Sequence, residues 1–353
     1  MEIGSAKAAP GELDRGYLEL TELPTKTIER APVIVANGPS DGPTLWIHGG
    51  IHGNEATGIA VAQDAVDESL VGSIRGTVVI IPNVNPAGLR RNCRTSYYDD
   101  HDPNRYFPAD DTGPWPPRTQ ERIDIKLFEL IDEHADALID LHTAGVNSLP
   151  FIIRNRVPYG EQRSEREARE LSAEIDRIAG AFGLPPVTTY PLEEKKAAGL
   201  DRSTSSSVMH RCDIPAITAE LGTHTVVDEK NRKAGVTGVR NVMRAMDLLD
   251  QEPIENEHAP DPPVEFRVAR GSEPRADRPG LIRCHVETGD AFQRGDPIGD
   301  IVTPTGERRT TIHAERDGYV LGRARGLAVH ENDRLASFAL REEEDPIRRV
   351  DDD

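Results

Sequence analysis

Between residues 44 and about 250, short apolar runs of β-type composition alternate with segments of helical spacing, and that alternation admits few architectures. The runs TLWIH (44–48), TVVIIP (77–82), ALIDL (137–141), PFIIR (150–154) and AITAEL (216–221) are short and mostly apolar. Strands covered by helices on both faces have that composition. Between them Ile123, Leu127, Leu130 and Ile131 recur at helical spacing, as do Leu171, Ile175 and Ile178. Strands and helices in alternation pack as layers, so the expected fold class is α/β.

The pattern stops at QEPIENEHAPDPP, residues 251–263, which is rich in proline and acid and reads as a linker. Beyond it come short β-rich pieces punctuated by glycine. The expected partition is a domain over 1–250, a linker over 251–263, a smaller all-β module over 264–341 and a disordered acidic tail over 342–353. The module resembles the barrel-sandwich fold of lipoyl and biotinyl carriers, through V-x-x-G-D-x-x-x-x-G-D-x-I-G-x-I followed by A-x-x-D-G-Y-V. Those carriers attach their cofactor to a hairpin lysine. Here the hairpin reads ERDGY and residues 264–353 contain no lysine, so an accessory or lid-like barrel is expected instead.

The formal charge is -19, with seven lysines among the 42 basic residues. The electrostatic part of binding to nucleic acid or to an anionic membrane would be repulsive, so neither is expected as a partner. Abundant Asp and Glu with scarce Lys and few aromatics looks like adaptation to high salt, where screening removes self-repulsion. Three widely spaced cysteines form no disulfide framework or paired metal motif. The N-terminal stretch lacks the pattern of a signal peptide, and no run reaches the length of a membrane helix. A cytoplasmic protein is the expectation, with self-association left open.

The chemistry concentrates in HGGIHGNEATG, residues 48–58, just after an apolar run. Sites in open α/β sheets lie outside the carboxyl ends of strands. His52 and Glu55 are three apart at a helix start, close enough to share one cation. A catalytic zinc needs a third protein ligand and an open position. His142 in ALIDLHTAG is the candidate, with Asp140 on the same side of the strand to orient its imidazole. A lone His-x-x-Glu also occurs without metal, and His48 competes as a ligand, although its place in the strand end suits packing better. Glu220, at the end of a third apolar strand, could serve as general base, its pKa raised by partial desolvation, or could simply cap a helix. The stretch Asn85–Pro108 carries four arginines and little periodicity. It reads as a long loop whose arginines either grip an anionic substrate or pair with Asp99, Asp100 and Asp102.

Taken together, these residues resemble the succinylglutamate desuccinylase and aspartoacylase family, relatives of the zinc carboxypeptidases. The match rests on G-x-H-G-N-E (50–55), N-P-x-x-x-x-x-x-x-R (85–94), N-R-Y-F-P (104–108), D-L-H-T (140–143) and P-A-I-T-x-E-L-G (215–222), in the family's order. The resemblance implies a carboxypeptidase-like mixed sheet flanked by helices and one Zn2+ per chain held by His52, Glu55 and His142. It implies Glu220 as general base, Arg94 as the group that polarises the scissile carbonyl, and Asn104 with Arg105 as the grip on a substrate carboxylate. The family's D-L-N-R is D-P-N-R here, with about two extra residues between Arg94 and Asn104. The implied reaction is hydrolysis of a small anionic N-acylated amino acid of N-acetyl or N-succinyl type. A peptide-cleaving metallocarboxypeptidase and a noncatalytic binding protein are the alternatives.

Overall fold

A computed structural model describes residues 1–109, 116–160, 162–271, 274–323 and 326–350. The five strands expected from composition form, with longer bounds in most cases, as Ser40–Gly49, Arg75–Ile81, Ala137–Ala144, Pro150–Arg154 and Ala216–Thr223. The sheet is mixed. Ser40–Gly49, Arg75–Ile81, Ala137–Ala144 and Ala216–Thr223 run parallel to their neighbours among these four, whereas Pro150–Arg154 is antiparallel to Ala216–Thr223. Two long strands that composition did not single out, Glu12–Glu22 and Ile28–Asn37, extend one side as an antiparallel pair. Glu12–Glu22 buries only two of its residues and carries charges along its length, so it lacks the apolar run that marks a buried strand.

Helices Ala56–Asp64 and Glu165–Phe182 both pack on Glu229–Ala245, and Thr119–His134 packs on Thr204–Cys212. Glu165–Phe182 begins with a capping box in which Ser164 and Glu167 each accept a bond from the other's backbone N–H. Its buried side chains, including Leu171, Ile175 and Ile178, are those of the expected stripe.

The C-terminal segment contains the expected β structure and joins the first part more closely than a tethered module would. Four of its strands form a separate antiparallel sheet, Arg308–His313, Pro297–Val302, Gly280–Cys284 and Ala328–Val329. The others, Val268–Gly271, Ala336–Arg341, Gly318–Arg323 and Ala291–Phe292, continue the large sheet beyond Pro186–Thr188 and bring it to twelve strands. Phe151 and Val187 from the first part share one buried cluster with Val268, Tyr319, Leu321 and Ala339 from the second. The segment 251–263 is docked as well: Asn256 donates to Phe182 and Ala234 carbonyls, and Ile254 exchanges bonds with Asn241. Low apolar content predicts exposure, but backbone and amide hydrogen bonding holds this segment down.

The expected disorder of 342–353 is corrected for its described part, 342–350. Ile347–Arg349 pairs in parallel with Val157–Tyr159. Glu342 accepts two bonds of 3.0 Å from Arg156 Nη2, with both side chains buried. An acidic composition argues for disorder only where no buried cation waits for it. Glu342→Ala leaves Arg156 without its bidentate partner, and a loss of about 3 kcal/mol in chemical denaturation is expected. An unchanged midpoint would show the pair to be dispensable.

Candidate active site

The polar residues gather where three neighbouring strands end. Register places His48 opposite Asp140 and His142 opposite Glu220, so two strand pairings align four side chains of the site. After Ser40–Gly49 the chain turns at Gly50, whose φ of +63° disfavours any side chain. It then passes the helix Pro86–Arg91 so closely that a Cβ on Gly53 would lie 2.0 Å from the Gly88 carbonyl carbon. This contact sets the position of His52 and Glu55. Gly53→Ala is expected to cost about 3 kcal/mol through overpacking. A lowered melting temperature together with reduced metal content would report it; wild-type values of both would refute the tight contact.

His52 Nδ1 lies 2.7 Å from Glu55 Oε1, and His142 Nδ1 lies 2.8 Å from Glu55 Oε2. The ligand atoms of these three buried residues all fall within 4.8 Å of one another. The opposite nitrogen of each imidazole meets another carboxylate. His52 Nε2 is 3.0 Å from Asp102 Oδ1, and His142 Nε2 is 3.0 Å from Asp140 Oδ1. Two imidazoles and a carboxylate gathered together, each imidazole with a second carboxylate 3.0 Å from its far nitrogen, form a donor set of the kind that fits a divalent metal such as zinc. His48 Nε2 also lies 3.0 Å from Asp140 Oδ1; it is fully buried and is not among the residues lining the cavity that holds the cluster. Neither contact to Asp140 has the alignment of a hydrogen bond. Burial would raise the Asp140 carboxyl, but His142 and His48 beside it hold it below the usual range. For Glu55, burial is likewise outweighed by His52 and His142.

Glu220 is the contrasting carboxylate. Burial pushes its pKa up, and Glu55 adds to the rise against the opposing pull of His142 and Arg270. Its Oε2 is buried with no hydrogen-bond partner among the described residues, and the side chain lines the same cavity as the His–Glu–His cluster.

Arg94 bonds Asp102 Oδ2 through Nε and Nη2 at 3.1 and 2.9 Å, while its Nη1 is 3.7 Å from Glu55 Oε1. Arg105 is mostly buried; its Nη1 donates to the Asn104 carbonyl and its Nη2 lies 3.9 Å from Asp102 Oδ2. Asn104 accepts from the Thr204 backbone N–H and hydroxyl, and its Nδ2 is 3.3 Å from His142 Nε2. All seven residues singled out in the sequence, His52, Glu55, Arg94, Asn104, Arg105, His142 and Glu220, line one cavity of about 390 Å3. A second cavity of about 450 Å3, lined by Pro158, Leu192 and His210, contains none of the seven.

Asp102 went unrecognised in the sequence as more than a loop acid. It caps the short 3-10 turn Pro103–Arg105 and connects His52 to Arg94. Its position two residues before Asn104 in D-P-N-R was the available signal. Lys195 was missed too. It is buried, its pKa is pushed down to about 7 by desolvation, and its ammonium donates to Asn155 Oδ1 at 2.9 Å. No local pattern announced it.

A mixed α/β sheet with a His–Glu–His donor set at its edge of strand ends, beside a glutamate whose buried Oε2 has no partner among the described residues, is a scaffold carrying a candidate metal site. Residues 41–246 match the model of the succinylglutamate desuccinylase/aspartoacylase catalytic domain. The chain belongs to the succinylglutamate desuccinylase/aspartoacylase family, whose names describe enzymes that remove acyl groups. It is 25% identical over 306 residues to the N-alpha-acetyl-L-2,4-diaminobutyric acid deacetylase of Halomonas elongata, covering 85% of this chain and 82% of the relative. Among solved structures it superposes on a succinylglutamate desuccinylase from a Silicibacter species with a TM-score of 0.73 at 20% identity, over 97% of this chain and 100% of the other. It also superposes on the product-bound ectoine utilization protein EutE (DoeB) of Ruegeria pomeroyi with a TM-score of 0.72 at 19% identity, over 93% and 95% of the two chains. Among the described residues no helix is long and apolar enough to cross a membrane.

Proposed function

We propose that this chain is a zinc-dependent hydrolase that cleaves the amide bond of a small N-acylated amino acid of N-acetyl or N-succinyl type. The observation that carries the reading is the meeting of Glu220, whose buried Oε2 has no hydrogen-bond partner among the described residues, with His52, Glu55 and His142 in the lining of one cavity. A buried carboxylate oxygen with no donor is costly unless water or substrate meets it.

His52, Glu55 and His142 would hold one zinc ion, which when bound supplies Lewis-acid polarisation and acidifies a water toward neutral pH. The remaining work falls to the chain. Glu220, with its raised pKa, takes the proton of the attacking water and returns it to the departing amine. Arg94, braced by Asp102 through two of its nitrogens, offers Nη1 to the oxygen that gains negative charge. Asn104 and Arg105 bind the substrate carboxylate, Arg105 through the planar donor fork that suits such a group. Asp140 and Asp102 orient the two imidazoles. The deacetylase named in Halomonas elongata supports amide cleavage over transfer to another acceptor. The small cavity, walled by residues of both parts of the chain, supports a compact substrate over a peptide. The acidic surface and three free cysteines support a salt-rich, reducing cytoplasm as the setting.

The test is a hydrolysis screen of N-acetyl, N-succinyl and N-formyl amino acids at high salt, with and without chelator, beside elemental analysis of the purified protein. The expected result is one zinc per chain and free amine released in a chelator-sensitive manner. A protein without stoichiometric metal, or hydrolysis indifferent to chelator, would overturn the zinc reading. Release of C-terminal residues from peptides in place of acyl groups would favour the carboxypeptidase alternative.

A further inference from the structure

A set of unsatisfied buried oxygens lies outside the cavity described above, where the loop 85–108 meets the start of the helix Thr119–His134. Asp124 and Gln120, on the helix, are 1% and 3% exposed. Gln120 Nε2 donates to Asp124 Oδ1 at 2.8 Å, and the Gln120 backbone N–H donates to Asp99 Oδ2 at 3.3 Å. Gln120 therefore touches both carboxylates. A free N–H at a helix N-terminus is a favourable partner for Asp99, but it occupies only one of the two oxygens. Asp99 Oδ1, Asp124 Oδ2 and Gln120 Oε1 are all buried and have no hydrogen-bond partner among the described residues.

No positive charge among the described residues compensates the two acids. Arg118 and Arg202 flank Tyr106 beside Asp99, yet Arg118 Nη1 donates to His101 and Arg202 pairs with Glu121. Burial raises the Asp124 carboxyl well above the usual range, and Asp99, Glu121 and Asp102 add to the rise against the bond from Gln120. Like charges so confined are unfavourable, and so is each unpaired oxygen.

Three occupants can meet such oxygens, and counting donors and charge separates them. A water offers two protons to three acceptors and cancels no charge. A proton on Asp124 satisfies one oxygen and leaves Asp99 Oδ1 and Gln120 Oε1 as they were. A cation meets all three and removes the repulsion as well. Gln120 Oε1 decides the matter, because a buried amide oxygen has no proton to gain and answers only to a donor or a metal. Carboxylate and amide oxygens are the ligands that hard cations take. Two carboxylates balance a charge of two. Ca2+ accepts such oxygens in a flexible geometry and fills its remaining positions with water, whereas Mg2+ demands a near-ideal octahedron.

We infer that Asp99, Gln120 and Asp124 form a binding site for a divalent, oxygen-seeking cation of the Ca2+ type, which ties the loop 85–108 to the helix Thr119–His134. The loop carries Arg94, Asp102, Asn104 and Arg105, so the ion holds part of the frame of the cavity from outside it. The site shares no residue with the His52, Glu55 and His142 set, whose imidazoles suit softer metals. It goes beyond the hydrolase reading and does not depend on it.

The test uses the full-length protein, stripped of adventitious ions on a chelating resin, reloaded with zinc, and kept at constant pH and ionic strength in a salt of an organic cation. Calorimetric titration with CaCl2 is expected to show one strong site per chain. Scanning calorimetry at about a hundredfold excess over Kd is expected to raise the melting temperature by about 5 °C. Asp124→Asn keeps the size of the side chain and removes one of the two charges. This variant is expected to melt no lower than the ion-free parent and to lose both the titration and the shift. Asp99→Asn is expected to lose them too. Neither readout involves turnover, so failure of zinc binding or of hydrolysis leaves the test intact.

No shift with CaCl2 overturns the site, as does a titration that survives both substitutions, since the ion then binds elsewhere on the acidic surface. Stabilisation by NaCl in place of CaCl2 overturns the divalent assignment. A parent whose stability ignores calcium and falls as pH rises, in a way that Asp124→Asn abolishes, shows a protonated Asp124 instead of a bound ion.

Discussion

Glu220→Gln protein is expected to retain its zinc and to fold normally while turnover falls by about 10^4-fold, the upper range for removal of a general acid–base group. The substitution keeps the shape and the position opposite His142, and removes only the ability to hold a proton and give it back. It also relieves a buried, unpartnered carboxylate, so the variant should melt no lower than the parent. The two-sided outcome is what makes the test useful. Full activity after the substitution would sink the assignment, and loss of zinc along with activity would place Glu220 in the metal site instead. The raised pKa has a further expected mark. The group must be ionised to act, so the parent's kcat/KM should fall as pH drops through it, and the variant's residual rate should lack that limb.

His142→Ala is expected to abolish stoichiometric zinc and to bring hydrolysis to background. The remaining pair, His52 and Glu55, offers one imidazole and one carboxylate, which falls short of the three protein ligands a catalytic zinc takes. The change also removes a group from contact with Asp140, leaving that buried carboxylate with His48 alone. Asp140→Asn is the milder counterpart, since it keeps all three ligands and weakens only the orientation of one. A loss of about 10- to 100-fold in metal affinity is expected there. Elemental analysis and chelator competition measure both. Tight zinc binding by His142→Ala would exclude it as a ligand, and equal effects of the two changes would point to folding rather than ligation.

The helices and strands that position the site were legible because their signals are local. Apolar runs of about five residues and a stripe at helical spacing survive in any environment that buries them, and the polar residues just after such runs stand out by contrast. Glu12–Glu22 was illegible for the opposite reason, since a strand with only two buried residues leaves no apolar run to notice. The linker and the tail misled through composition. Their acids and prolines predict solvation, yet Asn256 bonds two carbonyls and Glu342 answers Arg156, a residue 186 positions away.

Sequence alone determined the candidate donor set. His52 and Glu55 are three residues apart, Asp140 and His142 are two apart on one strand, and such spacings keep side chains together whatever the rest of the chain does. Tertiary structure alone decided which groups meet around that set. The pairing of His142 with Glu220, the bracing of Arg94 by Asp102, and the meeting of Arg270 and Arg334 on Tyr190 join residues separated by 8 to 144 positions. Contacts of that kind depend on where whole strands and modules dock, and docking is set by the summed burial of cores such as that of Phe151 with Tyr319. No local spacing encodes it.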